Sequence, residues 1–176
     1  MTVQSSNPPI DSSADPFVIR LATAADAAII ARHRSEIFVE MGELSREAYD
    51  ELYARSMRYF EDALPSGEYV GWLVAPSEAP AQIVAGAGVQ IRRLIARPDG
   101  RGGVLPDGPQ GLIVNVYTEH AWRRRGLAER LMRQIIAWAP DARVRSLVLH
   151  ASADGRPLYE RLGFDATNEM RYNGAL

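Results

Sequence analysis

The chain has 176 residues, of which 47% are hydrophobic, and this predicts one globular domain with its own core. A net charge of −2 excludes a broad basic surface for nucleic acid, and no apolar run approaches the ~20 residues that span a bilayer. The absence of cysteine excludes disulfides, thiolate metal sites and a cysteine nucleophile. We therefore expect neither nucleic-acid nor membrane partners.

The first part of the chain predicts a tail, a strand and two helices. Residues 1–16 are rich in serine, proline and aspartate, which is typical of a disordered tail, and the single predicted domain covers residues 17–176. Because the tail lacks the basic region and apolar core of a secretion signal, the default expectation is a cytoplasmic protein. The expected elements are a strand at Phe17–Leu21, a helix from the capping-box-like Thr23-x-x-Asp26 to Gly42, and a helix from Ser45 to Pro65–Gly67.

The second part predicts further strands around one long loop. Strands at 69–75 and 83–91 should form an antiparallel hairpin, and the Gly/Pro/Asp-rich stretch 97–110 is expected to be a functional or mobile loop. Then follow a strand at 111–117, a helix at 128–139, a strand at 144–150, a short helix from Ser152 or Asp154 to Gly163 and a strand at 164–172. This order predicts an α+β (mixed α/β) domain that contains one right-handed parallel strand–helix–strand crossover.

A basic turn, Arg123–Ala128, lies between the predicted strand at 111–117 and the helix that follows. The first amides of a helix have no internal partner, and the helix dipole adds partial positive charge at that end. Gly126 allows close approach to the backbone, and arginine supplies forked donors for phosphate oxygens. Because a cation there costs about 0.3–1 kcal/mol unless an anion is bound, the turn predicts a pyrophosphate cradle. It lacks the glycine patterns of a P-loop or a Rossmann nucleotide site.

Three motifs give the chain a family resemblance. Arg123-x-x-Gly126-x-Ala128 resembles the acyl-CoA-binding signature Gln/Arg-x-x-Gly-x-Gly/Ala of the GNAT superfamily of N-acetyltransferases. Leu158–Phe164 resembles a later motif of that family, and a weaker match lies at Ile19–Asp26. The resemblance therefore covers nearly the whole predicted domain.

This resemblance implies a fold and a cofactor site. The fold is a central, mostly antiparallel sheet of about six to seven strands with about four flanking helices. Acetyl-CoA, with no metal, would lie between splayed fourth and fifth strands, here at about 111–119 and 144–150. The cofactor-binding residues that it implies are Val116, Tyr117, Thr118, Arg123, Arg124, Arg125, Gly126, Leu127, Ala128 and Ser152, the last standing where many relatives have asparagine.

Catalytic residues are also implied by the resemblance. Tyr159 matches the family tyrosine that acts as a general acid on the departing thiolate, and the alternative is that its ring only packs in the core. Glu119, at the end of the cofactor strand, is a candidate to deprotonate the amine. The alternatives left open are His150, Glu40, Glu43 and a water relay without a dedicated base.

The acceptor site is expected where the first two helices meet the loop 97–110. We predict that this site carries negative charge, which would attract a cationic amine. We also predict that its walls are aromatic. The residues concerned are Glu36, Glu40, Glu43 and Glu47, partly offset by Arg46, with Tyr49, Tyr53, Trp72 and Tyr117.

The function implied is transfer of an acetyl group from acetyl-CoA to a primary amine by direct attack in a ternary complex. The acceptor, a small molecule or a peptide, is not identified by the sequence. A non-catalytic CoA-binding regulatory module is the alternative, and a homodimer is an open expectation because relatives are often dimers.

Overall fold

The computed structural model describes residues 15–99 and 101–167. The seven strands of these residues are β1 Phe17–Leu21, β2 Tyr69–Pro76, β3 Ala85–Leu94, β4 Arg97–Pro98, β5 Val104–Leu105, β6 Gly108–Thr118 and β7 Leu147–Leu149. The helices are α1 Ala27–Glu40, α2 Tyr49–Ser66, α3 Leu127–Asp141 and α4 Arg156–Arg161, with 3₁₀ turns at Ala24–Asp26 and His120–Trp122.

Five strands form one sheet in the order β1-β2-β3-β6-β7, and β4 and β5 form a separate ribbon. All neighbours in the main sheet are antiparallel except β6 and β7, which are parallel and connected through α3. The predicted α+β domain with one parallel crossover is therefore confirmed. The main sheet of the described residues has fewer strands than expected: residues 164–167 are irregular, and the rest of the strand predicted at 164–172 lies outside the described range, as do residues 1–14 of the predicted tail.

The expectation of an irregular loop at 97–110 is wrong. The Asp99 carboxylate accepts hydrogen bonds from the amides of Arg101 and Gly103, both at 2.8 Å, and this turn closes the β4–β5 ribbon. The following strand begins already at Gly108. Turn residues and two-residue strands have the composition of a loop, so the sequence pattern could not predict this ribbon.

The predicted capping box and the predicted C-terminal ends of the first two helices agree with the structure, but α2 begins at Tyr49 with Ala48 as its N-cap, so the start predicted at Ser45 is wrong. The Thr23 amide donates to Asp26 at 2.8 Å, which completes the capping box. Asp26 also pairs with Arg20 at 2.7 Å, and this guanidinium lowers the pKa of Asp26 to about 2. Gly42 and Gly67 end α1 and α2 in the left-handed conformation that favours glycine.

Helices cover both faces of the sheet. α1 and α2 enclose one apolar cluster: Ala27, Ile30, Ala31, Phe60, Ala63, Tyr69 and Leu73. The other cluster joins α3 to the opposite face: Trp72, Val74, Val84, Ala85, Ala87, Val89, Ile113, Leu127, Leu131, Met132 and Ile135. Since Ile113 belongs to one cluster and Val114 packs against the other, β6 lies between the two layers.

Candidate active site

The strands β6 and β7 part soon after they meet. Their parallel pairing covers only Gly111–Ile113 opposite Leu147–Leu149, where β7 ends. β6 continues to Thr118, so over residues 114–118 no described strand pairs with the edge that faced β7. An unpaired strand edge presents amide donors and carbonyl acceptors to a ligand. The splayed pair expected from the sequence is confirmed.

A β-bulge bends β6 at the point where the strands part. Asn115 has a φ of 58°, and the register with β3 shifts between Gly86 and Gly88. The buried Asn115 amide donates to the Tyr69 hydroxyl at 3.2 Å and accepts from the Arg34 guanidinium at 3.0 Å. Asparagine tolerates this left-handed conformation, and its occurrence in an otherwise apolar strand was the signal that could have revealed the bulge.

The turn between β6 and α3 is open. Gly126 has a φ of 76° and precedes the first residue of α3, and a Cβ at that position would meet no atom within 4 Å. The adjacent Arg124 also has a positive φ, of 62°. The amides of the first helical turn therefore face a site without protein atoms above Gly126, which fits the approach of an anionic group.

The three arginines of the turn have different environments. The Arg123 side chain is directed inward, where it donates to the Thr118 carbonyl at 2.9 Å and to Glu40 at 2.6 Å. Arg125 lies over the Trp122 ring, 4.6 Å from its centroid. Arg124 is exposed and forms no hydrogen bond or ion pair with the described part of the chain. Of the three arginines, Arg124 alone therefore has a side chain without a hydrogen bond, ion pair or ring contact among the described residues.

The last residues of β6 contact both helical layers. Val116 packs against the cluster on the α3 face. The Tyr117 hydroxyl donates to Glu40 at 3.0 Å, and burial together with this carboxylate raises the pKa of Tyr117. Burial alone would raise the pKa of Glu40, but the bonds from Arg123 and Tyr117 hold it below its usual value.

Tyr159 and Ser152 lie close together at α4. The Ser152 hydroxyl accepts from the Gly155 amide at 3.2 Å at the start of the helix. A Cβ on Gly155 would lie 2.9 Å from the Tyr159 ring, so glycine permits this packing. The Tyr159 ring also meets Phe164 edge-on, and burial raises its pKa. Within residues 15–99 and 101–167 its hydroxyl forms no hydrogen bond, so the ring packs in the core while the hydroxyl stays available.

Glu119 follows β6 directly and is held by α1. Its Oε1 accepts from Arg32 and lies 3.3 Å from His33 Nε2. His33 is buried, as expected for a residue at the edge of the core. Burial and the neighbouring Arg32 lower the pKa of His33 to about 4, and Glu119 only partly opposes this.

A cavity of about 730 Å³ lies on the α1–α2 face of the sheet. Its lining includes Leu112–Asn115 of β6 and His150–Ser152, which follow β7. Of the four glutamates expected to make the acceptor site negative, Glu43 alone lines it, whereas three arginines do: Arg34, Arg55 and Arg92. Its aromatic walls are Phe38, Tyr59, Phe60 and Tyr69, not those predicted. The charge and walls predicted for the acceptor site therefore do not describe this cavity, and Glu40 is paired instead with Arg123.

The part of the chain that the structure describes has neither a metal site nor a membrane-spanning helix. No cluster of three or more histidine, aspartate or glutamate side chains there could hold a metal ion. None of the described helices is both long and apolar enough to cross a bilayer.

Known acetyltransferases resemble this chain in sequence and in structure. The model of the acetyltransferase (GNAT) family matches residues 30–164. A GCN5-related N-acetyltransferase from Ralstonia eutropha JMP134 is 26% identical with a TM-score of 0.75, covering 89% of this chain and 97% of that one. A predicted acetyltransferase with acetyl-CoA from Clostridium acetobutylicum is 24% identical, with a TM-score of 0.73 and coverage of 90% and 96%.

A more distant structure shares the fold alone. Glucosamine-6-phosphate N-acetyltransferase from Arabidopsis thaliana is 17% identical, with a TM-score of 0.61 and coverage of 91% of this chain and 99% of that one. No curated protein sequence matches the chain significantly.

Proposed function

The chain belongs to the GNAT family of acetyltransferases and is thus an acyltransferase, and from that premise we propose that it acetylates a primary amine at the opening between β6 and β7. One observation carries the proposal. The unpaired edge of β6 over residues 114–118 is followed, after the 3₁₀ turn His120–Trp122, by the open turn at Gly126, so a strand-like ligand with an anionic end fits both. Acetyl-CoA, which this family uses, has that form: a pantetheine arm with two amides, joined to a pyrophosphate.

The proposed cofactor contacts divide between backbone and side chains. The backbone of Val116–Thr118 would pair with the pantetheine amides, and the amides of residues 124–128, including Leu127 and Ala128, would hold the pyrophosphate. The unengaged Arg124 would supply a side-chain charge to the phosphates. The side chain of Arg123 would serve the site by fixing the Thr118 carbonyl, and Ser152 would border it from α4.

The reaction that we propose is direct attack of the amine on the thioester that acetyl-CoA supplies. The amine nitrogen forms a bond to the carbonyl carbon while the carbon–sulfur bond breaks. An amide of the open β6 edge donates to the carbonyl oxygen as negative charge develops there. The Tyr159 hydroxyl gives its proton to the departing sulfur, and like any tyrosine it carries that proton at neutral pH.

The amine must lose a proton, and Glu119 is the acceptor that we propose. Its Oε1 is engaged by Arg32, whereas Oε2 has no hydrogen bond among the described residues and is therefore free to receive the proton directly or through water. Arg32 would then fix the orientation of the carboxylate. The proton taken from the amine returns to Tyr159 through solvent and closes the cycle.

Binding and turnover test the proposal in sequence. Isothermal titration of folded protein with acetyl-CoA should show saturable binding, which CoA competes for and ATP does not. Turnover is then followed as free-thiol release with amine acceptors, against a clean background because the protein has no cysteine. Absence of binding at about 1 mM acetyl-CoA, where a site with a millimolar Kd is half occupied, would overturn the proposal.

A further inference from the structure

The cavity on the α1–α2 face borders the opening where we propose that acetyl transfer occurs. It reaches Leu112–Asn115 of β6, at the bulge, and His150–Ser152 beyond the end of β7. Its volume of about 730 Å³ is in the range of small-molecule sites. A molecule bound there would therefore have one end at the parting of the strands.

The fixed charge of this cavity is positive and incompletely balanced. Arg34, Arg55 and Arg92 line it, against Glu43 as the carboxylate of the lining. Arg55 is paired with Glu51 at 2.8 Å. The structure shows no carboxylate partner for Arg34 or Arg92 within residues 15–99 and 101–167.

Arg34 is the most informative of the three because it is half-buried. Its guanidinium donates to the Asn115 side chain at 3.0 Å and lies 4.9 Å from the centroid of the Phe38 ring. One neutral hydrogen bond and one aromatic face leave several of the five guanidinium donors without a described partner. Burial partly desolvates the Arg34 charge and so lowers its pKa, yet an arginine stays protonated at any physiological pH.

A partly desolvated cation without a counter-charge costs free energy, and an anionic ligand group removes that cost through charge-assisted hydrogen bonds. Part of the remaining wall is apolar, formed by Ile37, Phe38, Met41, Leu52 and Phe60, and part is polar, formed by Ser56, Tyr59, Tyr69, Gln90, Asn115, His150 and Ser152. The site thus offers a fixed positive charge next to the reaction centre and an apolar surface on part of its wall.

Resting on the acetyltransferase function proposed above, we infer that the acceptor is a small amine with an apolar body and an acidic group, which Arg34 binds and Arg92 attracts at the cavity rim. The acidic group is a carboxylate or a phosphate-type anion, since a guanidinium binds both. Arg34 is then a specificity-determining residue. Its bond to Asn115 fixes the guanidinium relative to the bulge of β6 and hence relative to the thioester.

Matched acceptors test this inference. Three carboxylates are compared with their own amides: phenylalanine, 4-(aminomethyl)benzoate and 6-aminohexanoate, with 4-(aminomethyl)phenylphosphonate as the phosphate-type arm and benzylamine as its neutral reference. Rates are corrected for the fraction of neutral amine at the assay pH. In at least one pair the acid should exceed its neutral partner by about 10-fold in kcat/KM, the usual worth of a charge-assisted hydrogen bond.

Variants locate the preference. Arg34→Gln keeps a donor toward Asn115 and removes the charge, so the preference in kcat/KM for the acid over its amide should fall by about 10-fold. Arg92→Gln should have a smaller effect in the same direction. Arg93→Gln is the matched control, because Arg93 is adjacent on β3, pairs with Asp107 at 3.2 Å and does not line the cavity.

The outcomes separate this inference from the function on which it rests. If the wild-type protein does not bind acetyl-CoA, both the proposed function and this inference are refuted. Acetyl-CoA binding without a preference for any acid over its neutral partner, including no turnover of any acid, refutes the inference alone. An equal loss on acid and amide in Arg34→Gln would show that Arg34 only supports the bulge, and would also refute it.

Discussion

Two regions at the end of β6 differ in how their polar groups are satisfied. We call the first the open groove: the β6 edge at 114–118, the turn at 124–126 and the Tyr159 hydroxyl. The second is the brace, formed by Glu40, Glu119 and their partners Arg32, His33 and Arg123. In the groove no described strand pairs with this edge of β6 and no protein atom lies within 4 Å of a Cβ placed on Gly126, although Arg123 engages the Thr118 carbonyl and Arg125 stacks on Trp122, whereas in the brace both carboxylates are bonded to arginine.

The difference shows that a charged residue near a site does not necessarily offer its charge to a ligand, because another side chain can already neutralise it. Arg123 and Arg124 are neighbours in one basic motif, yet Arg123 neutralises Glu40 and Arg124 is exposed and unpaired. The brace holds α1 against the end of β6 and so fixes the groove. We therefore expect changes in the groove to affect ligand binding and turnover, and changes in the brace to affect stability, with Glu119 affecting turnover as well because its Oε2 is the proposed proton acceptor.

The largest expected effect is in the groove, at Tyr159. Tyr159→Phe removes the proton donor while the ring still packs against Phe164. We expect kcat to fall by about 100-fold, the lower end of general acid catalysis, with the Kd for acetyl-CoA and the Tm unchanged. Steady-state and titration measurements check this.

Tyr53→Phe is the matched control, because Tyr53 packs between α1 and α2 and does not line the cavity. Its kcat should equal that of the wild type. If Tyr159→Phe kept the wild-type kcat, Tyr159 would only pack in the core and would not be the proton donor.

The next effect is in the brace, at His33. Its pKa is about 4 in the folded chain and about 6.5 in the unfolded chain, where it is solvated. Between these values the unfolded chain binds a proton that the folded chain does not, so stability is complete above pH 6.5 and falls as the pH drops toward 4. We expect a loss of about 2 kcal/mol from this residue.

Urea unfolding at pH 7 and pH 4.5 measures that loss. His33→Gln should lower the pH dependence, whatever it does to stability at pH 7. His120→Gln is the comparison at an exposed histidine, whose Nε2 lies 2.9 Å from Glu40 Oε1, and it should change the pH dependence less than His33→Gln does. An unchanged pH dependence in His33→Gln would mean that other groups of the brace carry the acid sensitivity.

The groove was predictable from the sequence to a greater extent than the cavity. The basic turn is contiguous, and its glycine and helix start are local signals, so Arg123–Ala128 could be recognised before the structure was known. The direction of the Arg123 side chain could not, because its partner Glu40 is distant in the chain and is brought near by α1.

The cavity could not be predicted because separate elements assemble it. Arg34, Arg55 and Arg92 come from α1, α2 and β3, and no spacing in the sequence relates them. The glutamates near the end of the first helix were visible as a cluster, but the pairing of Glu40 with Arg123 depends on the packing of α1 against β6. The fold itself was predictable because periodicity and turn residues are local, apart from the β4–β5 ribbon, in which each strand has only two residues.

A smaller effect is expected when the groove is changed at Gly126. A Cβ there meets no protein atom, so Gly126→Ala adds only local strain of about 1–2 kcal/mol to the folded chain, and it places a methyl group where the pyrophosphate approaches. We expect the Kd for acetyl-CoA to rise by about 10-fold, equivalent to about 1.4 kcal/mol.

Gly67→Ala is a close control for that variant. Gly67 and Gly126 share the same backbone conformation, φ 76° and ψ 8°, and neither would bring a Cβ within 4 Å of another atom. Both variants should lower Tm to a similar extent, and Gly126→Ala alone should weaken acetyl-CoA binding in the titration. Equal affinities for acetyl-CoA would show that no ligand approaches the turn closely.

The smallest expected effect concerns the exposed charge of the groove, Arg124. Arg124→Gln should raise the Kd for acetyl-CoA by about 3-fold at low salt, because a solvated charge pair contributes less than about 1 kcal/mol, and the difference should shrink as salt screens it. Arg143→Gln is the matched control, since Arg143 has a φ of 58°, is exposed and lies just beyond the other end of α3. Both variants remove one charge at a left-handed arginine, so a loss of affinity shared by both would come from net charge, and only a loss confined to Arg124 supports a phosphate at the helix N-terminus.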